Sequence, residues 1–504
     1  MITSSNRLVT QLQELRSYGG KVRTQGLPDS LIETMAATHP VLVQAVESAV
    51  ELHRALRAEF DDVLRADEVE QVRQAQSGFL NFYADDAVNP YVALTARGPW
   101  MITLNGAVIH DSGGYGMLGF GHTPQPVLNA MAQPQAMANI MTPNLTHLRF
   151  SRALRAEIGH TIGGCPYAKF LCLNSGSESV TLAGRIADVN TKVNTDPGGR
   201  HAGKRVKRIA VKGAFHGRTE LPALYSDSSR KTYQQYLASH KHHEQQLITI
   251  EPYSIEQLRQ AFADADANGW YIEAVFLEPV MGEGDPGRAL PAAFYAAARE
   301  LTLAHGTLLL VDSIQAGLRA HGVLSVVDYP GFEGLQAPDM ETYSKALNAA
   351  QYPMSVLAVT ERAAAMYRRG IYGNTMTTNP RAMDVASAVL GMLTPAIRSN
   401  IVSKGREFLA RLNKLKEEMP GLITKVQGTG LLFSVELSTD FLCFGVGSTE
   451  EYMRERGFGV IHGGVNSLRF TPHFNVGMDE VELMVAGLRE ALVNGPRKQQ
   501  PVAA

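Results

Sequence analysis

The chain has 504 residues, 45% of them hydrophobic and 19% charged, with a formal net charge of −2. That balance excludes the strongly basic face that nucleic acid or an anionic membrane surface recruits, and no run of 18 apolar residues offers a membrane span. Length alone allows about three domains. Cys165, Cys172 and Cys443 have no CxxC spacing, as expected of reduced thiols in a cytoplasmic protein.

The first twenty residues lack the basic-then-apolar pattern of a signal peptide, and no repeat appears at solenoid periods. Residues 1–80 read as helical. Pro40 sits where a first-turn proline belongs, and HPVLVQAVESAVELHRALRAEF carries apolar residues at helical spacing. DDVLRADEVEQVRQAQSGFLNFYA continues as a second helix, an extension or lid packing on the main body. From Arg97 the pattern changes to short strands and turns, with a hairpin signal at Asn105-Gly106. The loop Gly113-Gly114-Tyr115-Gly116 is flexible enough to approach a ligand closely, or is an ordinary glycine-rich loop.

KFLCL at 169–173 reads as a short buried strand running into NSGSES and a helix. The first turn of a helix presents unpaired N–H groups that suit a phosphate. Gly176 permits close approach there and Ser177 adds a hydroxyl. Ser175 to Glu178 is equally an S-x-x-E capping box, which needs no ligand. Residues 191–207 read as an exposed loop. RIAV at 208–211 is another strand, ending in GAFHGRT, where Phe215 either stacks on a flat heterocycle or is simply core. SHKHHEQQ at 239–246 reads as a solvated segment without a metal-ligand pattern. AVFL at 274–277 ends in Glu278-Pro279 and VMGEG, and the helix PAAFYAAARELTLAH follows.

LLLV at 308–311 ends abruptly in Asp312, with Gln315 one turn on. Ligands of open α/β sheets bind beyond the carboxyl ends of strands. Residues 339–344 contain few apolar positions and read as a loop leading to Lys345. An acid at a buried strand end and a lysine on a later loop suggest a pyridoxal phosphate site, although a strand-end Asp is also a common helix cap. SVLAV at 355–359 is a fifth strand, and YGNTMTTNP at 372–380 a hydroxyl-rich loop. The alternation of strand and helix predicts a doubly wound, mostly parallel sheet. The last hundred residues read as a small α+β domain, and GPRKQQPVAA as a frayed tail.

NSGSES, FHGRT, EPVMGEG, DSIQAG, YSKAL, GNTMTTNP and SLRFTP stand in the order found in class III (ω-) aminotransferases, and from Arg97 to Asn494 the chain resembles that family. The resemblance implies an α/β, fold-type I pyridoxal phosphate transferase. It divides the chain into an N-terminal helical extension (1–90), the first part of a small domain (91–150), a large cofactor-binding domain with a mostly parallel sheet flanked by helices (151–385), the C-terminal small domain (386–495) and a flexible tail (496–504). Lys345 is then the Schiff-base lysine and proton carrier, and Asp312 the partner of the pyridine nitrogen. Gln315 meets the ring's phenolic oxygen, Ser175, Gly176 and Ser177 cradle the phosphate, and Phe215 stacks on the ring beside His216. Glu278 counts among the cofactor residues, and Thr375 reaches the phosphate of a second subunit in a homodimer with shared active sites. Arg469 is matched to a substrate carboxylate, Glu283 to its masking partner, and Tyr115 to the substrate side.

Ser313 departs from the family pattern, where an acid is common. So do Asn348-Ala349-Ala350-Gln351-Tyr352, in place of a glycine-rich stretch, and Met281 in place of Gln. The implied reaction transfers an amino group from an amino acid or ω-amine to a 2-oxo acid through a pyridoxamine phosphate form. A racemase or epimerase, or an aminomutase, shares the motifs; decarboxylation and a non-enzymatic scaffold are weaker readings.

Overall fold

The computed structural model describes residues 4–137, 139–241 and 246–498. The chain forms two compact units, one of residues 1–124, 403–427 and 433–504, the other of 125–402 and 428–432.

In the first unit, helices Ser4–Arg16, Asp29–Thr38 and Pro40–Arg65 precede the antiparallel sheet β1 (Ala93–Arg97), β2 (Trp100–Thr103) and β3 (Val108–His110). Pro40 occupies the first turn of its helix, where its missing N–H costs nothing. The hairpin expected at Asn105-Gly106 joins β2 to β3. The second helix is shorter than expected. It covers Glu68–Gln76, because residues 61–65 complete the preceding helix and Ala66 is extended. Phe79, Leu80 and Phe82 beyond it are exposed.

The extension is tied into its unit by buried polar contacts. The Glu68 carboxylate, fully buried, accepts from the Arg23 and Thr24 amides at 2.7 and 2.8 Å. The Arg23 guanidinium reaches Glu451 and Glu455, and Arg454 donates to the Ala87 carbonyl at 3.0 Å.

The second unit carries seven strands: β4 (Lys169–Leu173), β5 (Arg205–Val211), β6 (Leu247–Ile250), β7 (Trp270–Leu277), β8 (Leu308–Asp312), β9 (Met340–Tyr343) and β10 (Ser355–Val359). Their order is β4-β10-β9-β8-β7-β5-β6. Only β10 runs antiparallel to its neighbours, so the carboxyl ends of β4, β5, β7, β8 and β9 share one edge. Strands covered on both faces read as continuous apolar runs. Leu308, Leu310, Ala274 and Phe276 accordingly pack with Val180, Ala183 and Ile186 of the helix Gly176–Thr195.

Two readings are corrected. Residues 340–343 are a buried strand, not a loop. Met-Glu-Thr-Tyr lacks a strand's apolar look because Glu341 and Thr342 are buried through hydrogen bonds. His240 is buried against Tyr233, ring centroids 5.2 Å apart, rather than solvated; residues 242–245 of that segment, and 499–504 of the tail, lie outside the described residues. The four strands of the C-terminal region, β11 (Ile423–Thr429), β12 (Leu432–Leu437), β13 (Ile461–Gly463) and β14 (Ser467–Phe470), form the order β11-β12-β14-β13. Among the described residues no single helix is long and apolar enough to cross a membrane.

Candidate active site

The carboxyl edge of the seven-stranded sheet holds a cleft of about 190 Å³. Its first wall is the N-terminus of the helix Gly176–Thr195. Ser175 caps that helix, its hydroxyl accepting from the Glu178 amide at 3.3 Å. The expected capping box is only half closed. Glu178 turns its carboxylate to the Asn174 amide (2.7 Å) and to Asn374 (3.1 Å), bracing the hydroxyl-rich loop. Two glycines bring the backbone close. A Cβ on Gly176 would lie 2.6 Å from Ile314 Cδ1, and one on Gly217 (φ +115°) 2.4 Å from Ser177 Oγ. A helix N-terminus with unpaired N–H groups, a hydroxyl and close backbone suits a phosphate.

The second wall is acidic. Asp312 ends β8 almost wholly buried. Its Oδ1 accepts from the Ile314 amide at 3.1 Å and its Oδ2 from His216 Nδ1 at 2.8 Å. Burial opposes charge on His216, but the hydrogen bond and charge of Asp312, with Glu278 adding, win and hold its pKa above the ordinary value. Glu278 follows β7 and bridges two loops, accepting from the Phe215 amide (3.2 Å) and the Gly282 amide (3.0 Å). Burial, with the Asp312 charge behind it and His216 opposing, pushes its pKa up to about 7.

Lys345 leaves β9 in a left-handed conformation, φ +45°. Its ammonium donates to Gln315 Oε1 at 2.6 Å. Because lysine offers only donors, the Gln315 oxygen must face it. That leaves Gln315 Nε2, buried and without a protein partner, on the other side of the amide, and His216 Nε2 is in the same condition. Two lone-pair positions of Asp312 are used of about four a carboxylate has. Orphaned donors, an incompletely used carboxylate and the helix N-terminus together fit pyridoxal phosphate. After Lys345, Ala349 (φ +51°) and Ala350 (φ +59°) take the left-handed conformations glycine would adopt without strain. The Asn348 side chain compensates by accepting from the Ala350 amide at 2.9 Å and donating to the Met354 carbonyl at 3.0 Å.

The missing acid at Ser313 has a counterpart on the neighbouring strand. Ser313 Oγ donates to Glu341 Oε1 at 2.6 Å, and the same fully buried carboxylate accepts from Ser325, Tyr167 and the Val326 amide.

The cleft therefore brings together Ser175, Gly176, Ser177, Phe215, His216, Glu278, Glu283, Asp312, Gln315 and Lys345. It also includes Gly217, Ile314 and Ser344, which the sequence reading did not single out; Gly217 lay inside the quoted FHGRT. Thr375 is exposed and does not line the cleft. Tyr115 and Arg469 belong to the other unit. There, Tyr115 (φ +48°) sits between Gly114 and Gly116, both also left-handed. Thr471, just past β14, fastens this turn by accepting from the Gly116 amide at 3.2 Å and donating to the Gly113 carbonyl. Arg469 lies buried on β14, and burial raises the Tyr115 hydroxyl's pKa against the opposing charge of Arg454.

Residues 82–492 match the family model described as aminotransferase class-III. Among solved structures, the chain is similar to an ornithine aminotransferase from Toxoplasma gondii (22% identity, 84% of this chain, 94% of that one, TM-score 0.70), a structure reported with partial pyridoxal phosphate occupancy at its active site. It is also similar to an acetylornithine aminotransferase from Elizabethkingia anophelis (21%, 84% and 98%, 0.65) and a transaminase from the marine bacterium Virgibacillus (17%, 84% and 98%, 0.70).

Proposed function

This chain belongs to the class-III aminotransferases and is a pyridoxal phosphate-dependent transaminase, and from that premise we propose that Lys345 and Asp312 are its catalytic pair. The observation that carries this is the hydrogen bond from Lys345 to Gln315 in the cleft that also holds the buried Asp312–His216 pair. Bound there, pyridoxal phosphate supplies an electron-accepting ring that stabilises negative charge on the donor carbon while the amino group is exchanged. Lys345 Nζ would hold the cofactor, and the same amine would move the proton at the donor carbon. Gln315, which aims that nitrogen, would keep Nε2 for the phenolic oxygen. Asp312, locked by His216, would offer its carboxylate to the ring nitrogen. Phe215, its backbone held by Glu278, would flank the ring. Ser175, Gly176 and Ser177 would receive the phosphate.

The substrate side of this reading assigns Arg469 to a donor or acceptor carboxylate and keeps Glu283 and Tyr115 as further substrate residues. A guanidinium suits bidentate carboxylate binding. Two of the similar structures are named for ornithine and acetylornithine, but at about one-fifth identity only the fold carries over.

A homodimer with Thr375 reaching the partner's phosphate belongs to the same reading. Supporting it, Thr375 is exposed beside exposed Met376. Asn139 donates to the Thr375 carbonyl at 3.3 Å, and the neighbouring Ile140, Met141 and Leu145 are exposed as well. Exposed apolar side chains on two segments joined in this way suit an interface. Light scattering should give twice the chain's mass, and a monomer would overturn the dimer. Three free thiols support a cytoplasmic location.

The test of the activity is absorbance of the holoenzyme while single amino acids and amines are added without an acceptor. Loss of the band of the lysine-bound cofactor that persists supports transamination. A band that returns while the amino acid's optical activity decays favours racemisation, and no such band even with added cofactor overturns the assignment of Lys345.

A further inference from the structure

The cofactor cleft opens where two neighbouring strands of the second unit part. β8 and β9 run parallel, with Leu310, Val311 and Asp312 level with Met340, Glu341 and Thr342. The Ser313 amide carries the ladder one step further, donating to the Thr342 carbonyl at 3.0 Å. Beyond it one segment leads to Gln315 and the other to Lys345. The Lys345 ammonium closes this fork by donating to Gln315 Oε1.

Side chains alternate along a strand, so Ser313 shares a face of the sheet with Glu341, and Asp312 points to the other. On that back face the fully buried Glu341 carboxylate gathers four donors. Its Oε1 accepts from Ser313 Oγ at 2.6 Å and the Val326 amide at 2.8 Å. Its Oε2 accepts from Ser325 Oγ at 2.5 Å and Tyr167 Oη at 2.7 Å. A carboxylate shut away from water is costly unless its lone pairs are met, and these donors fill the roughly four positions it has. Sliding β9 by two residues, the smallest slip that keeps its faces, would move Lys345 about 7 Å along β8. It would also strip the carboxylate of its donors. We infer that Glu341 is a positioning residue for the proposed catalytic pair: through Ser313 it fixes the register of β8 and β9, and with it the place of Asp312 and Gln315 relative to Lys345. This rests on the reading of Lys345 and Asp312 as the cofactor residues.

Neither Glu341 nor Ser313 lines the cleft, so the action is indirect. Ser313 stands between Asp312 and Gln315, and the Ile314 amide beside it donates to Asp312 Oδ1 at 3.1 Å. A displacement of Ser313 is therefore passed to both ends of this turn. The other side-chain donors lie off the path to the cleft. Tyr167 comes two residues before β4, and Ser325 caps the short turn Val326–Asp328.

Glu341→Gln would unsettle all four contacts and the fold with them, so the test deletes one donor at a time from the holoenzyme. Ser313→Ala removes the hydroxyl next to Asp312. Tyr167→Phe removes a hydroxyl from the other carboxylate oxygen and keeps its ring. Each variant loses one hydrogen bond to the same carboxylate, so their urea midpoints should fall by similar amounts. The absorbance of the lysine-bound cofactor is then titrated with pH. Ser313→Ala should shift the midpoint of that titration by about 0.5 to 1 pH unit, the scale of one hydrogen bond. Tyr167→Phe should keep the wild-type midpoint. An unmoved midpoint in Ser313→Ala, or an equal shift in both variants, overturns the positioning role while leaving Lys345 in place. A wild-type holoenzyme with no such band overturns the reading of Lys345, and this inference with it.

Discussion

His216 Nδ1 lies 2.8 Å from Asp312 Oδ2, and both side chains are shut away from water. Nδ1 carries the proton in this contact, because the carboxylate can only accept. Removing one member of a buried, hydrogen-bonded charge pair leaves the other desolvated, at a cost of about 3–5 kcal/mol. His216→Phe should therefore lower the unfolding free energy by about that amount, read by urea denaturation. It should also weaken binding of pyridoxal phosphate, because the proposed partner of the ring nitrogen, Asp312, loses the group that fixes it. A variant as stable as wild type would mean that Asp312 finds another donor.

Glu278 and His216 both have pKa values raised on folding, so their stabilisation runs the same way with pH. For Glu278 it is complete below the unfolded value of 4.5 and is lost as pH rises through about 7. His216 adds stabilisation present below 6.5 that is lost as pH climbs past its raised folded value. Between pH 5 and 8 the wild type should lose about 3 kcal/mol that Glu278→Gln, whose offset is constant, does not lose. Parallel pH profiles for the two proteins would contradict a proton held on Glu278.

Lys345→Ala should abolish the absorbance of lysine-bound cofactor and lower turnover by at least about a hundredfold, the scale of a positioned acid–base group. Substantial turnover by this variant would remove the lysine from the mechanism.

At Gly217 an added methyl meets two penalties, a φ of +115° and a Cβ 2.4 Å from Ser177 Oγ. Backbone strain of this kind costs about 1–3 kcal/mol, so Gly217→Ala should weaken pyridoxal phosphate about ten- to a hundredfold by equilibrium dialysis. Unchanged affinity would show that the phosphate is held elsewhere.

Arg469→Ala should raise KM for carboxylate-bearing donors by the loss of a buried charge-assisted pair, about 2–5 kcal/mol, and leave simple amines little affected. Equal losses for both classes would argue against a carboxylate role.

Much of the fold and of the cleft is legible in the amino-acid order. Whereas β4, expected to be buried, lies at the sheet's edge and is only partly so, β8 and β10 announce themselves as apolar runs because they are covered on both faces. β9 does not, since Glu341 replaces apolar packing with four hydrogen bonds whose donors come from elsewhere in the chain. The departure at Ser313 becomes intelligible only there, where the acid on β9 meets the hydroxyl just past β8. The replacement of a glycine-rich stretch at Asn348–Tyr352 likewise has its reason only in the folded turn, where the Asn348 side chain bonds across it.

What the amino-acid order determined by itself was the succession of strand, turn and helix, the cap at Ser175, and which residue types stand at the strand ends. These depend on neighbours a few positions away, and local periodicity and capping chemistry report them directly. Tertiary structure alone decided that His216 meets Asp312 across 96 residues, that burial pushes the Glu278 carboxyl up to about 7, and that Tyr83 of the extension faces Tyr115. Each is set by burial and by charges or rings brought together from distant segments, and desolvation acts only once the chain has closed around them.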